Sequence, residues 1–375
     1  MKKTHRSHLT RREFIRDSAL ATAGIAAGLH AATRTVLAES AADRAAIEKT
    51  RSYNPQMDYR RLGKTGLWVS AVCMGGHWKR VDKIIGAKDK LNPYVAPTAA
   101  GIVAPFERNR AEVIHYCLDA GINYIDYAGD SESEVYSKVL GKRREAIYIG
   151  YSHPASELRV PANRTTKKLL ELFDAGLKRC KLDYVDIWRL MALERGGRHT
   201  QPEVEAMIEA LATARKQGKC RFTGLSTHDR EWAKMLIETY SDTVQVLCFP
   251  YTAGSKELPA ESLFETLRKY DVGTFGIKPF ASNALFKGDG SPDHPEAAQD
   301  DRRARLTIRY ILSNPALTAP IPGLISKHQV DNMVMAIKER RQLDLAERRE
   351  LRDMSRQMWA NLTPDYRWLK EWEYV

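Results

Sequence analysis

The chain has 375 residues, of which 43% are hydrophobic, and its formal net charge at pH 7 is +12. Residues 1–38 carry a net +5 of that charge, which leaves +7 on the remainder. The remainder contains no Lys/Arg run of the kind that binds nucleic acid. It also contains no apolar stretch of about 18 residues, so we expect no membrane anchor in the mature protein. None of the five cysteines forms a Cys-x-x-Cys pair, which argues against a zinc knuckle or an iron–sulfur cluster. No disulfide pairing follows from their positions.

Residues 1–38 show the order of features found in an export signal. Basic residues come first, Arg11-Arg12 and Phe14 follow, and an apolar run at 18–32 precedes the small-residue site Val36-Leu37-Ala38. Paired arginines in this setting are typical of twin-arginine signals. We therefore expect the twin-arginine translocase to export the chain to the periplasm, with residues 39–57 as a linker. The alternative is a cytosolic amphipathic helix that happens to contain Arg-Arg.

From residue 58 onward, short β-rich apolar runs alternate with segments of helical periodicity. The runs are 68–74, 123–127, 146–152, 185–191, 221–227, 244–251, 273–280 and 318–323. The helical segments are 108–120, 133–141, 165–180, 201–217, 229–240, 260–270, 302–313 and 326–338. Eight strands that are each followed by a helix predict an α/β fold, the parallel (β/α)8 TIM barrel, over residues 58–340. An open doubly wound sheet is the alternative, but no Gly-x-Gly-x-x-Gly motif follows the first run.

Two segments exceed a minimal barrel. Residues 79–102 lengthen the first β/α loop, on the face where such barrels carry their active sites. Residues 341–375 form a C-terminal extension with a charged helix and an aromatic tail. The aromatic residues are Trp359, Tyr366, Trp368, Trp372 and Tyr374. We expect this extension to pack on the barrel or to form an oligomer contact, and the oligomeric state stays open.

The carboxyl ends of the predicted strands supply the candidate site, because strand ends in such barrels point into it. They provide Gly75-Gly76-His77-Trp78, Asp126, Tyr151, Met191, Ser226-Thr227-His228, Tyr251, Lys278-Pro279 and Gly323.

Six motifs occur in a recognisable order along the predicted barrel. Residues 59–67 read Tyr-Arg-Arg-Leu-Gly-Lys-Thr-Gly-Leu, and residues 121–126 read Gly-Ile-Asn-Tyr-Ile-Asp. The others are Leu-Asp-Tyr-Val-Asp at 182–186, Gly-Lys-Cys-Arg-Phe-Thr-Gly-Leu-Ser at 218–226, Ile-Lys-Pro at 277–279 and Ile-Pro-Gly at 321–323. In this pattern the sequence resembles the aldo-keto reductases over nearly the whole barrel.

The resemblance implies transfer of a hydride from NADPH, or from NADH, to a small-molecule carbonyl substrate, an aldehyde or a ketone, or the reverse reaction. In that family a tyrosine acts as general acid and a lysine lowers its pKa, while an aspartate and a histidine support them. Only the aspartate is kept here, as Asp126. Ser131 stands at the tyrosine position, Tyr151 or its neighbour at the lysine position, and Met191 at the histidine position.

Nearby residues would have to replace the missing groups. Tyr151 is the predicted acid, because it would bring a phenol to the same mouth of the barrel. Asp126 would orient it, and His77 or His153 would tune or replace it. The alternative interpretation is that Tyr151 is a half-buried strand aromatic and that His77 is an ordinary loop histidine.

The cofactor side keeps more of the family pattern. The resemblance places Ser226, Thr227 and Gln245 at the nicotinamide amide. Lys278, Pro279 and Phe280, with Ser282 beyond them, suit a pyrophosphate cradle. Gly323 ends the last strand, and Ser326 would cap a helix whose N-terminus suits a phosphate. Lys327, Gln329 and Asn332 lie where the family binds the adenosine half, although Met333 replaces the expected Asn and the expected Arg is absent.

Three functions remain open. The first is an exported NAD(P)H-dependent oxidoreductase with a degenerate catalytic set. The second is a non-catalytic barrel that binds a cofactor or another ligand. The third is a barrel lyase or epimerase, with or without a metal, although no His/Asp spacing defines a metal site.

Overall fold

The computed structural model describes residues 40–192 and 197–375, so the signal predicted at 1–38 lies outside the described residues. The chain divides into two compact units, one ending at Glu48 and one spanning Lys49–Val375. The described part of the first unit is helix α1 (Ala41–Glu48). The Ser40 hydroxyl accepts a hydrogen bond from the Asp43 N–H at 3.0 Å at its start. The linker predicted at 39–57 therefore contains a helix, because alanine-rich sequence behind a serine cap favours one.

The second unit begins nine residues before the predicted barrel boundary at 58. Arg51 explains the difference, since its Nη1 donates to Ile147 O at 2.7 Å and to the buried Asp186 Oδ2 at 3.1 Å. Arg144 and Arg221 donate to the same carboxylate at 3.0 and 2.9 Å. The polar segment after Lys49 was predicted as linker because its partners lie far away in the sequence.

A hairpin precedes the barrel. Strands β1 (Tyr59–Arg61) and β2 (Trp68–Ser70) pair antiparallel, and the turn between them contains Gly63 with a φ of +48°. A Cβ at Gly63 would overlap the backbone of the segment that precedes the seventh barrel strand. The predicted first run at 68–74 is thus two elements, because the chain leaves the hairpin at Ser70 and enters the barrel at Met74.

Eight parallel strands form the barrel, which confirms the predicted fold class. They are β3 (Met74–Gly75), β4 (Tyr124–Tyr127), β5 (Tyr148–Tyr151), β6 (Val185–Met191), β7 (Cys220–Ser226), β8 (Val246–Pro250), β9 (Gly273–Ile277) and β10 (Ala319–Ile321). Neighbouring strands pair in chain order. Gly75 bridges in parallel to Gly323, so the two ends of the sheet meet.

Helices cover the outside of the barrel. They are α2 (Val81–Ile85), α3 (Val103–Asp119), α4 (Asp130–Leu140), α5 (Thr166–Cys180), α6 (Gln201–Lys216), α7 (Arg230–Thr239), α8 (Leu263–Lys269), α9 (Ala297–Leu312), α10 (Lys327–Lys338) and α11 (Leu345–Ala360). Among the described residues, no helix has the length and apolarity needed to cross a bilayer.

The C-terminal extension packs on the barrel. Buried Leu351, Met354 and Met358 of α11 join a cluster that also contains Ala281 and Leu306. A 3-10 helix (Pro364–Trp372) follows and adds buried Leu369 and Trp372. Backbone hydrogen bonds from Lys256 N to Glu373 O (2.7 Å) and from Val375 N to Lys256 O (2.8 Å) fix the last residues. This packing brings the aromatic tail to the rim of the barrel.

Candidate active site

A cavity of about 570 Å³ opens at the carboxyl ends of the barrel strands. Its walls come from the ends of β3, β4, β6, β9 and β10, from the long first loop, from α9 and α10, and from the C-terminal tail. Ten of the fourteen predicted site residues line it, namely His77, Asp126, Lys278, Pro279, Phe280, Ser282, Gly323, Lys327, Gln329 and Asn332.

Asp126 lies in the wall of this cavity as half of a buried ion pair. Arg189 Nη2 donates to both of its carboxylate oxygens, at 3.0 and 2.9 Å, and to Ser152 Oγ at 3.2 Å. Burial raises the pKa of Asp126, and the charge of Arg189 opposes that rise. The carboxylate is therefore already engaged by an internal cation, which suits a structural anchor better than a base.

His77 contacts a buried carboxylate in the first turn of helix α4. Its Nδ1 is hydrogen-bonded to Glu132, whose other oxygen accepts the Ala128 N–H at 2.9 Å. The ring of Tyr94 meets His77 edge-on, with the ring centres 4.6 Å apart. The carboxylate and the aromatic ring together orient the imidazole at the cavity rim.

Lys79, Ser282 and Tyr366 form a third polar group in the wall. Lys79 Nζ donates to Ser282 Oγ at 2.6 Å and to the Tyr366 hydroxyl at 2.9 Å. The three side chains come from the first loop, the segment after β9 and the C-terminal tail, and all line the cavity. Ser282 is thus engaged by a protein ammonium rather than standing free for a pyrophosphate.

The segment after β9 has an unusual backbone. Lys278, Ala281, Ser282 and Asn283 all have positive φ values, between 47° and 75°. Such conformations are costly for residues with a Cβ and persist only where the surroundings hold them. The segment therefore presents a fixed polar surface to the cavity.

Helix α10 begins at the cavity wall. Its N-cap Ser326 accepts the Gln329 N–H at 3.2 Å, and Gln329 Oε1 accepts the Ile325 N–H at 3.0 Å. A helix start leaves N–H groups without intrahelical partners and carries partial positive charge, which favours an anion. Asn332 also lines the cavity, but its amide is held by Arg305 (2.7 Å) and by Asp301 O (3.0 Å).

The sequence profile of the Aldo/keto reductase family matches residues 103–355, more than half of the chain. The chain belongs to this family. It is therefore an oxidoreductase of the NAD(P)-dependent kind that the aldo/keto reductases comprise, as its relatives' names also indicate.

Individual aldo/keto reductases are distant from this chain. It is 25% identical over 309 residues to L-galactose dehydrogenase of Arabidopsis thaliana, covering 76% of this chain and 89% of that protein. It is 25% identical over 247 residues to L-glyceraldehyde 3-phosphate reductase of Escherichia coli K12, covering 61% and 63%. Its fold matches the holo form of an aldo-keto reductase from Bacillus halodurans (TM-score 0.57, 20% identity, 80% and 96% covered). An aldo-keto reductase from Klebsiella pneumoniae in complex with NADPH matches similarly (TM-score 0.59, 17%, 80% and 95%).

The family resemblance predicts the tyrosine position at Ser131 and the histidine position at Met191. The Ser131 hydroxyl accepts the Ala96 N–H at 2.8 Å and so fixes the first loop. Met191 lines the cavity. Neither side chain is an acid that can protonate an alkoxide.

Four predicted residues lie outside the cavity lining, namely Ser226, Thr227, Gln245 and Tyr151. Ser226 and Thr227 are buried at the carboxyl end of β7, where the Thr227 hydroxyl accepts the Asp229 N–H at 3.2 Å. Gln245 precedes β8 and so lies at the amino end of the strand, where its amide oxygen accepts the Thr223 N–H at 3.2 Å. The prediction that Gln245 contacts the nicotinamide amide came from the family resemblance, and a position at the amino end of the strand does not fit it.

The structure also corrects the expectation that Tyr151 faces the cavity. Side chains alternate along a strand, and the preceding Gly150 faces inward, where a Cβ would overlap the Tyr124 hydroxyl. Tyr151 therefore points outward, against Phe173 and Gly176 of α5. Burial raises its pKa, which makes its phenol a poorer acid. His153, the other candidate on this strand end, pairs with Asp130 at 2.6 Å outside the cavity lining.

Tyr151→Phe is accordingly expected to leave turnover within about twofold of the unaltered protein, since the hydroxyl lies outside the site. Steady-state kinetics with any carbonyl substrate that the protein reduces measures this. A loss of turnover of a hundredfold or more would show that Tyr151 takes part in the reaction.

Other chemistry finds little support in the described part of the chain. No group of three or more His, Cys, Asp or Glu side chains there is arranged to hold a metal ion. The five cysteines are buried free thiols, among them Cys117 and Cys248, whose pKa values burial raises to about 12. Such thiols are poor nucleophiles and poor metal ligands.

The sequence did not point to four residues of the cavity wall or its support, namely Arg189, Glu132, Lys79 and Tyr366. Arg189 had one usable signal, because a charged residue in the middle of an apolar strand needs a buried partner. The other three lie in segments whose position depends on tertiary packing.

Proposed function

We propose that this protein is an exported, NADPH-dependent reductase of aldehydes or ketones. One observation carries the proposal. The segment after β9, with its positive φ values and Lys278, lines the same cavity as the N-terminus of α10. NADH is the alternative cofactor. The names of the relatives make hydroxyaldehydes and other sugar-derived carbonyls the first substrates to test.

The residues present fit a nicotinamide dinucleotide. Lys278 supplies an ammonium to the middle of the cavity, and the start of α10 supplies a partial positive charge at one end. Gly323 lets the end of β10 pack closely on the His77 backbone in the cavity wall, because a Cβ there would come within 2.9 Å of His77 O. Lys327 is more than half exposed, and its long ion pair with the exposed Glu112 (3.8 Å) is one that a 2′-phosphate could replace.

The reaction places separate demands on the two sides of the cavity. When bound, NADPH supplies a hydride to the carbonyl carbon. The chain binds and orients both reactants, and the Asp126–Arg189 pair keeps the wall near the reaction neutral overall. The apolar side chains of Phe280, Phe286 and Met191 exclude water from the same space. A group that gives a proton to the carbonyl oxygen completes the reaction.

Export remains part of the proposal on sequence grounds. Arg11-Arg12, the apolar run and the small-residue site follow one another as in twin-arginine signals. That exporter carries folded proteins, which would allow the cofactor to be loaded before translocation. Replacing both arginines with lysine should keep the chain in the cytoplasm; fractionation that still finds it in the periplasm would contradict this route.

Cofactor binding is the direct test. NADPH is expected to quench tryptophan fluorescence, and Lys327→Ala should weaken NADPH binding about tenfold while leaving NADH unchanged, because a single charge-assisted phosphate contact is lost. The matched control is Lys178→Ala on α5, which removes the same charge from an exposed site. Absence of binding by either nucleotide at millimolar concentration would refute the reductase and favour a barrel that binds another ligand.

A further inference from the structure

The aldo/keto reductase positions for the acid and its lysine are lost from the barrel strands, yet the cavity contains a phenol beside an ammonium. Tyr366 and Lys79 are 287 residues apart in sequence, and their polar atoms are 2.9 Å apart. Lys79 Nζ also lies 4.7 Å from the centre of the Tyr366 ring. Both residues belong to segments that a minimal barrel does not need.

We propose that Tyr366 is the proton donor of the reaction, with Lys79 as the group that stabilises its phenolate. This inference rests on the proposed carbonyl reduction. It assigns the catalytic acid to the C-terminal extension and its charged partner to the long first loop.

In the proposed step, the carbonyl carbon gains a C–H bond through the hydride, and the π pair of the carbonyl moves onto its oxygen. Tyr366 gives its hydroxyl proton to that oxygen, so the product is an alcohol. The O–H bonding pair stays on Tyr366 as a phenolate, which the Lys79 ammonium and the hydroxyls of Ser282 and Tyr94 stabilise. A proton from water restores the phenol before the next turnover.

The surroundings of Tyr366 tune it for this role. Burial alone would disfavour its phenolate, but hydrogen bonds from Lys79, Ser282 and Tyr94 outweigh burial and lower the pKa of Tyr366 to about 8. Tyr94 shows the converse, since burial and its bond to Tyr366 raise its pKa. A general acid is most effective when its pKa lies near the working pH.

Two other charged side chains at this rim have partners of their own. His77 is hydrogen-bonded to Glu132, and the Lys278 ammonium lies 5.6 Å from the centre of the Trp368 ring. Ser282 is fixed by the strained segment after β9 and accepts from Lys79. The ammonium of Lys79 is thus the charge directed at the Tyr366 oxygen.

Kinetics of the full-length protein test the assignment. Tyr366→Phe should lower kcat for carbonyl reduction about a hundredfold or more, with the Kd for NADPH unchanged. Tyr374→Phe is the matched control, because that ring is half exposed in the same tail and lies outside the cavity lining, and its kcat should stay within a few-fold. In the unaltered protein the reduction rate should fall as pH rises through about 8, because the acid is lost there. Lys79→Met should move that fall to higher pH.

A second measurement needs neither cofactor nor substrate. Ultraviolet difference titration should show one tyrosine ionising near pH 8, absent in Tyr366→Phe and shifted upward in Lys79→Met. If no nucleotide binds, the reductase proposal fails, and the titration still reports on the Tyr366–Lys79 pair. If carbonyls are reduced and Tyr366→Phe keeps its kcat, or if no tyrosine ionises early, the inference is overturned while the reductase proposal stands.

Discussion

Replacing Arg189 with methionine is expected to lower the free energy of unfolding by about 3–5 kcal/mol. Arg189 and Asp126 are both nearly inaccessible to solvent, and one guanidinium nitrogen serves both carboxylate oxygens. Removing the cation leaves a buried carboxylate without its charge partner. The protein must then either keep an uncompensated charge or protonate Asp126.

The pH dependence of this loss has a definite sign. A carboxyl whose pKa is higher in the folded than in the unfolded chain makes the fold lose stability progressively as pH rises from the unfolded pKa through the folded pKa. Burial already raises the pKa of Asp126, and loss of Arg189 raises it further. The deficit of Arg189→Met should therefore be smaller in mildly acidic than in neutral buffer.

Urea unfolding followed by far-ultraviolet circular dichroism measures both effects. The matched control is Arg198→Met, which breaks an exposed arginine–aspartate pair (Arg198 Nε to Asp229 Oδ2, 2.7 Å) and should cost less than about 1 kcal/mol. Adding Asp126→Leu to Arg189→Met should recover much of the loss, because it removes the stranded charge. Equal losses for the two arginine variants would show that the buried pair contributes no more than a surface pair.

The parts of the fold that the sequence predicted are those encoded locally. In each strand–helix repeat, the spacing of apolar residues changes from that of a strand to that of a helix. Ser326 caps α10, as its position before Gln329 indicates. The run at 68–74 was predicted as one strand because a hairpin strand and a barrel strand follow each other there with no change of composition. Helix α1 was not predicted because its eight alanine-rich residues are too few to show a helical period, although the Ser40 cap marks its start.

The candidate site divides in the same way. Lys278 was predicted from its place at a strand end, and Lys327 and Gln329 were predicted from the family resemblance; all three line the cavity. Tyr366 was interpreted as packing, since nothing near it in sequence predicts a meeting with Lys79. The prediction that Tyr151 faces the cavity did not hold, because a shift of one residue along a strand moves a side chain from the inside of the barrel to the outside. Side-chain pairs between distant segments need the assembled barrel.

Trp372→Ala is expected to detach the C-terminal tail and, with it, most of the carbonyl reduction. The Trp372 side chain is buried against Phe249, and the Arg230 guanidinium lies 5.3 Å from the centre of its ring. Truncating a buried tryptophan costs about 3–5 kcal/mol. The loss should fall on residues 364–375, because Trp372 is the largest fully buried side chain of that segment, and Tyr366 would leave the cavity wall with it.

Hydrogen exchange and kinetics together separate a detached tail from a damaged barrel. The Val375 and Lys256 amides, which bond across the tail, should exchange faster, while amides of β6 and β7 keep their protection. Tyr374→Ala is the control, because that ring is half exposed and its removal should change little. A tail that exchanges faster while kcat is preserved would mean that catalysis does not use Tyr366. A slow tail with lost activity would mean that Trp372 acts on the site through the barrel itself.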